Sequence, residues 1–293
     1  MPTLTVEPSE KTLNALDFLQ RRLPAAPRAF LRQLLKKGKV LGEAGPLAEQ
    51  DLLPAGACVH LPDSGRVREL LGAALPVAAQ VGILYESREI LVADKPAGLA
   101  VHAGVGHQEE NLTARLEALL AERGDRFKIA PIHRLDLETS GPVIFGKGKR
   151  ACGELGRLFM RDEVEKQYLA LVVGRTSGSG FLLSTVPAKG KLKEARTSFR
   201  ALERTDRASL LELTLHSGRQ HQIRRQLADI GHPLFGDRRY GGPSLAGLPR
   251  TFLHCRHLAF VDPYSGAMVV IDSPLPVDLG KVLAEFGFQG DLT

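Results

Sequence analysis

The chain has 293 residues, of which 43% are hydrophobic and 25% charged, a composition that excludes disordered and fibrous classes. A formal charge of +6 and a pI near 9.3 favour a polyanionic partner, although charge alone does not separate nucleic acid from a solvated basic face. Cys58, Cys152 and Cys255 are far apart and form no Cys-x-x-Cys pair, which argues against a disulfide framework or zinc knuckle and fits a reducing cytoplasm.

No run approaches the roughly 20 apolar residues of a membrane helix, and the first residues lack a basic region followed by an apolar stretch. Neither membrane association nor a secretory leader is expected. A small unit is expected over 1–62, a linker over 63–80 marked by Gly65, Gly72 and Pro76, and a large unit over 81–293.

In the small unit, Leu13, Leu16, Leu19 and Leu23 predict a helix over 12–23. A second helix over 28–37 follows Pro24 and Pro27 and gathers Phe30, Leu31, Leu34 and Leu35 on one face. Its other face carries Arg28, Arg32 and Lys36, joined by Lys37 and, past the Gly38 stop, by Lys39. An ordinary solvated face would also be basic, but these five cations lie within twelve residues with no acidic residue among them. Such clustering is an electrostatic footprint for phosphates. A short strand around Val59 and Leu61 closes the unit.

The large unit is strand-rich with interspersed helices. Residues 89–94 read as an apolar strand ending at Lys95-Pro96. Asn111 reads as a helix cap ahead of Leu116, Leu119 and Leu120. Residues 166–173 are apolar on both faces, as a central buried strand should be. Leu211, Leu213 and Leu215 alternate with Glu212 and Thr214, which predicts a strand covered on one face. Strands and helices mix without a βαβ rhythm, so the fold class is α+β.

Two segments carry chemistry. In Ile132–Gly141, a short strand is expected to deliver Arg134 and Asp136 into a turn that continues through Thr139, Ser140 and Gly141. An Asp beside an Arg can be kept ionised while aimed at a substrate, and the bland alternative is a structural ion pair. In Ser217–Ile230, a helix places Ile223, Leu227 and Ile230 on one stripe with Arg224 beside it. Drawn inward, that guanidinium needs a carboxylate, because an unpaired buried charge costs several kcal/mol. Asp136 is a candidate partner; snorkelling to solvent is the alternative. No His-Glu-x-x-His, His-x-His or Cys/His cluster is present, so no metal site is expected.

His133-Arg134-Leu135-Asp136 followed by Glu138-Thr139-Ser140-Gly141, then Lys166-Gln167-Tyr168-Leu169-Ala170, then Ser217-Gly218-Arg219-Gln220-His221-Gln222-Ile223-Arg224, closely resembles the RluA-type pseudouridine synthases. Asp94-Lys95-Pro96-Ala97-Gly98, Gly231-His232-Pro233, Gly236-Asp237, Tyr240-Gly241-Gly242 and Leu253-His254-Cys255 extend the match, in order, over roughly 81–275. Arg225-Gln226 departs from the Val-His of many relatives. The first unit resembles, more distantly, an S4-type RNA-binding domain, with Lys11-Thr12-Leu13 replacing its usual Arg-Leu-Asp opening.

The resemblance implies a catalytic domain with a central mixed, mostly antiparallel sheet, preceded by a small S4-like α/β domain. It implies RNA, ribosomal or transfer, as partner, and a cytoplasmic enzyme, with a monomer as the default. Asp136 would be the catalytic carboxylate, Tyr168 would stack on a flipped uracil, and Arg224 would be the cation paired with Asp136. Arg134 would contact the RNA backbone or help extrude the base. Arg219 and His221 would bind phosphate or brace the turn, and Thr139 stands with them among the substrate-binding residues. The isomerisation gains and loses no atom, so no cofactor is expected.

Overall fold

A segment that is apolar on both faces must be covered on both, and residues 165–173 meet that demand in the middle of a six-stranded sheet. The computed structural model describes residues 2–10, 13–24, 26–62, 64, 67, 70–71, 81–103, 111–125, 127–188 and 191–288. The chain divides into two units, Met1–Ala78 and Ala79–Thr293.

The first unit is built on a four-stranded antiparallel sheet, with helices packed against it. Its strands are β1 (Thr3–Thr5), β2 (Leu41–Gly42), β3 (Gly45–Pro46) and β4 (Cys58–His60), in the order β1-β4-β2-β3. Helix α1 (Ala15–Arg22) begins later than its leucine spacing suggested, because Asn14 stays extended and its side chain accepts the Asp17 N–H at 2.9 Å. Helix α2 (Arg28–Lys36) turns Leu31, Leu34 and Leu35 inward against Leu16, Leu19 and Val59. Gly38, at φ +61°, ends it. Most of the expected linker lies outside the described residues. Val67 and Leu70 within it are buried in this unit's core, which therefore reaches past residue 62.

The second unit holds two sheets. One, in the order β5-β6-β8-β7, is formed by β5 (Gly82–Glu86), β6 (Ile90–Lys95), β7 (Ile129–Pro131) and β8 (Gly141–Lys147). The other is formed by β9 (Glu165–Val173), β10 (Ser179–Ala188), β11 (Lys191–Arg204), β12 (Ala208–Leu215), β13 (Leu253–Val261) and β14 (Met268–Asp272), in the order β10-β11-β12-β9-β13-β14. Every described strand pair is antiparallel, and a parallel bridge between Ser140 and His254 joins the two sheets. Among the described residues the α-helices of this unit are α3 (Leu112–Glu122), α4 (Lys149–Met160), α5 (Gln222–Asp229) and α6 (Val277–Glu285). Asn111 caps α3 by accepting the Ala114 N–H at 3.0 Å.

The main core packs Ala93, Leu116, Phe145, Ala170, Leu213 and Leu227 together, each such burial of a large side chain being worth about 1.5–3 kcal/mol. Three expectations need correction. Strand β12 is covered on both faces at Leu210 and Leu211, because Phe252, Leu279 and Leu283 close its second face. Strand β7 stops at Pro131, so Arg134 and Asp136 stand on irregular chain. Ile230 is 49% exposed rather than part of the buried stripe, because α5 ends at Asp229 and Gly231 turns the chain at φ +81°.

Candidate active site

The turn that carries Asp136 has no regular hydrogen-bond ladder, so its backbone is held by side chains. His133 stacks on Phe159 at 4.8 Å, and its Nε2 accepts the Ile144 N–H of β8 at 3.1 Å. Burial, with the Lys166 charge, pulls that imidazole down to about 3, which keeps it the neutral acceptor this bond requires. The Asp136 carbonyl accepts the Thr139 N–H at 3.0 Å. The next carbonyl, of Leu137, takes Gly98 N–H at 2.7 Å and Lys95 Nζ at 3.1 Å. Lys95 is fully buried and also donates to the Pro96 and Leu99 carbonyls at 2.9 Å, so its three ammonium hydrogens have three acceptors.

Arg250, 2% exposed, supports the same turn from the other side. It donates to the Glu138 carbonyl at 3.2 Å and to Ser140 Oγ at 3.1 Å, while Asp278 takes its other edge at 2.6 and 3.0 Å. The Glu138 carboxylate accepts the Thr251 hydroxyl at 2.6 Å and the Thr251 N–H at 3.1 Å, which engages it structurally. A Cβ on Gly141 would stand 2.2 Å from the Cys255 carbonyl oxygen, so only glycine lets β8 start there.

Helix α5 brings the second half of the site. Gln222 and Gln226 fasten it to the β10–β11 hairpin: Gln222 donates to the Arg196 carbonyl at 3.1 Å and Gln226 to the Ala195 carbonyl at 2.8 Å. The departure at Gln226 is thus fully absorbed by hydrogen bonds. His221 precedes the helix in a left-handed conformation, φ 51°. Arg224, on the first turn, is 8% exposed. Its Nη1 lies 3.5 Å from Asp136 Oδ2, but its nearer partner is Asp237, which accepts Nε at 2.6 Å and Nη2 at 2.8 Å. Burial works against the Arg224 charge, and the Asp237 bonds with the Asp136 charge more than offset it, so its pKa stands above the ordinary value.

Tyr240 lies with its ring 5.3 Å from the Arg224 guanidinium and its hydroxyl 3.0 Å from His221 Nδ1. His221 Nε2 faces Asp136 Oδ1 at 3.8 Å. Burial, with the Arg224 and Arg239 charges and against Asp136, lowers the imidazole's pKa. Tyr168, on β9 between Leu213 and Cys255 of the flanking strands, is 6% exposed. Burial, together with Cys255 and the Asp136 charge, holds its phenol well above the ordinary tyrosine range.

Asp136, Tyr168, Arg224, Arg134, Thr139, Arg219 and His221 all line one cleft of about 620 Å³, with Lys166 and Lys193 adding positive charge. Arg134 is exposed, and the shielded Nε of Arg219 has no acceptor among the described residues. In the first unit, Arg28 is paired with Asp17 and Arg32, though exposed, with Glu49 at 2.7 Å, leaving Lys36, Lys37 and Lys39 as exposed cations of the stripe that meet no carboxylate among the described residues. Asp237, Tyr240 and Lys95 stand in the matched motifs without an assigned role, and Arg250 lies outside them. Their signals were the flanking Gly236, Gly241 and Gly242 and the Lys95-Pro96 step. A polar residue beside an obligatory glycine sits where the backbone cannot shift.

A family model described as RNA pseudouridylate synthase matches residues 89–229. A ribosomal large subunit pseudouridine synthase D from Nitrosomonas europaea is 35% identical, over 70% of this chain and 65% of that protein. An enzyme of the same name from Xylella fastidiosa is 32% identical over 91% of this chain and 86% of its own length, and an uncharacterized RNA pseudouridine synthase from Synechocystis gives the same figures. Among solved structures, human RNA pseudouridylate synthase domain containing 1 superposes with a TM-score of 0.54 at 26% identity, covering 69% of this chain and 86% of that one. Human RNA pseudouridylate synthase domain containing 4 shares the fold, with a TM-score of 0.60 at 23% identity over 70% of this chain and 93% of that one. With relatives above 30% identity along nearly its whole length, the chain belongs to the RluA-type family of RNA pseudouridine synthases.

Proposed function

We propose that this enzyme isomerises specific uridines in structured RNA, ribosomal RNA ahead of transfer RNA, by extruding the target base into the cleft and acting on it with Asp136. The observation that carries the reading is the placing of Asp136 in a cation-rimmed cleft, 3.5 Å from Arg224 and facing Tyr168 across the same space. The preference for ribosomal RNA rests on the names of the relatives.

The reaction breaks the N1–C1′ bond, turns the uracil, joins C5 to C1′, and moves the C5 proton to solvent while N1 gains one. No electrons are exchanged, so the balance needs no cofactor. Asp136 acts as an anion, adding to the base or ribose or removing a ribose proton. Arg224 holds that anion. Tyr168 receives the flipped uracil, and stacking worth about 1–3 kcal/mol per base offsets part of the few kcal/mol spent on unstacking. Its high phenol pKa suits a group that stacks and donates a hydrogen bond. Arg134 occupies the vacated place in the RNA, and Arg219, His221 and Thr139 hold phosphate and sugar.

The first unit, read as S4-like, supplies phosphate contacts through Lys36, Lys37 and Lys39, with Arg28 and Arg32 in secondary roles because each already meets a carboxylate. Three free thiols accord with action in the cytoplasm. The test is tritium release from RNA carrying [5-³H]uridine at fixed salt. Release by the wild type and none by Asp136→Ala is the expected result. Release by both would remove Asp136 from the chemistry, and release by neither would remove the activity.

A further inference from the structure

We infer that Asp237 is a positioning residue for the isomerisation, one that takes the inner edge of Arg224 and so confines this cation to a single loose contact with Asp136. The inference rests on the reading of Asp136 as the reacting carboxylate.

A guanidinium offers carboxylates a two-pronged edge, and charge-assisted bonds of this kind run at about 2.7–2.9 Å. Asp237 holds the Nε–Nη2 edge at 2.6 and 2.8 Å and is itself 0% exposed. Asp136 is left with Nη1 alone, at 3.5 Å. The tight pair is therefore Arg224 with Asp237. This order suits the chemistry: a carboxylate gripped bidentately by an arginine is a poor nucleophile and a poor base, whereas one touched loosely stays anionic and able to move.

The turn that carries Asp237 also sets the other donor facing Asp136. Asp237 accepts the Tyr240 N–H at 3.3 Å, which closes a single turn over Arg238–Tyr240. Tyr240 then directs its hydroxyl to His221 Nδ1. Because a carboxylate only accepts, the tautomer that suits this arrangement carries its proton on Nε2, toward Asp136 Oδ1 at 3.8 Å, and accepts the Tyr240 hydroxyl at Nδ1.

The turn cannot drift. A Cβ on Gly236 would stand 2.0 Å from the Arg250 carbonyl oxygen, and one on Gly242 would stand 1.8 Å from the Leu234 carbonyl oxygen. Arg250 is the residue whose guanidinium supports the Asp136 turn. One side chain and its own carbonyl thus fix the two carboxylates relative to each other.

The experiment compares wild type, Asp237→Asn, Asp237→Glu and Asp136→Ala for kcat, KM and thermal melting on the RNA that releases tritium. In Asp237→Asn the full Arg224 charge turns onto Asp136. The expected result is a kcat lower by about 100-fold, the scale of a roughly 1 Å misplacement, with KM within about threefold. A fall in kcat that tracks a loss of folded protein in the melting curve, or that comes with an equal rise in KM, marks Asp237 as merely structural and overturns the inference, as does a wild-type kcat. Should Asp237→Asn fail to fold, Asp237→Glu keeps the buried charge while moving it. An unchanged kcat in that variant also overturns the inference, and a lowered kcat at constant KM supports it. Asp136→Ala separates the two layers: activity in that variant sinks the reading beneath, whereas its inactivity beside a wild-type Asp237→Asn sinks only this one.

Discussion

Ser140 Oγ lies 3.0 Å from His254 Nδ1, across the parallel bridge that joins the two sheets of the second unit. The other ring nitrogen, Nε2, donates to the Ser273 carbonyl at 3.1 Å, so Nδ1 accepts the serine hydroxyl and the ring is neutral. Burial pulls its pKa to about 4, against an unfolded value of about 6.5.

The sign of the pH dependence follows. Between pH 6.5 and 4 the unfolded chain takes up a proton that native His254 refuses, so this contribution is complete above about pH 6.5 and is lost as pH falls. Urea unfolding of the wild type should show stability declining through this window. His254→Gln should decline less steeply, by about 1.4 kcal/mol per pH unit. Equal slopes would show that His254 takes up its proton in the native state.

Arg224 has two carboxylate partners, and its loss leaves the fully buried Asp237 without a counter-charge. Arg224→Ala should therefore lower stability by about 3–5 kcal/mol, whereas Asp136→Ala, whose side chain meets Arg224 only at 3.5 Å, should cost about 1 kcal/mol. The double variant Arg224→Met/Asp237→Leu should recover much of the stability and remain inactive. Calorimetry beside tritium release measures both properties. A stable Arg224→Ala would mean that Asp237 finds another partner.

Replacing Tyr168 separates stacking from the hydroxyl. Tyr168→Phe should keep RNA affinity within about twofold, and Tyr168→Ala should lose about 1–3 kcal/mol of it. Because the phenol's pKa is well above its ordinary value, the alkaline limb of the wild-type rate should be unchanged in Tyr168→Phe up to about pH 10. A limb that disappears would make the phenolate the reacting species. Filter binding and single-turnover rates read the two outcomes.

The basic stripe of the first unit divides into two arginines that meet carboxylates and three lysines that meet none among the described residues. The triple variant Lys36→Ala/Lys37→Ala/Lys39→Ala should reduce the slope of log K against log salt by about 2–3, near the value for three released counter-ions. Arg32→Ala, which removes a cation already facing Glu49, should change that slope by less than one lysine does. Fluorescence anisotropy across a salt series checks this, and an unchanged slope in the triple variant would show that this face meets no phosphate.

Sequence conveyed which residues share the cleft better than what supports them. The strand 165–173, the caps at Asn111 and Gly38, and the seven cleft residues were legible because periodicity, turn residues and ordered motifs act locally. The short strand expected to carry Asp136 was not, since a turn held by Lys95, Arg250 and Thr251 has no local signature. Which carboxylate Arg224 prefers was equally hidden, because 88 residues separate it from Asp136 and 13 from Asp237, and spacing says nothing about distance in the fold. The basic stripe looked uninterrupted for the same reason: Asp17 and Glu49 approach it only once the unit has folded.

The Asp136 turn is held by partners that arrive late. Arg250 follows Glu138 by 112 residues, and Asp278, which orients Arg250, follows by another 28. During synthesis every residue lining the cleft therefore emerges before Asp278, the carboxylate that orients Arg250 beneath the turn. A nascent chain paused ahead of residue 278 carries Asp136, Tyr168 and Arg224 but has no Asp278 to hold Arg250 in place. The Asp136 turn gains its full support only when residue 278 has emerged and Asp278 can orient Arg250.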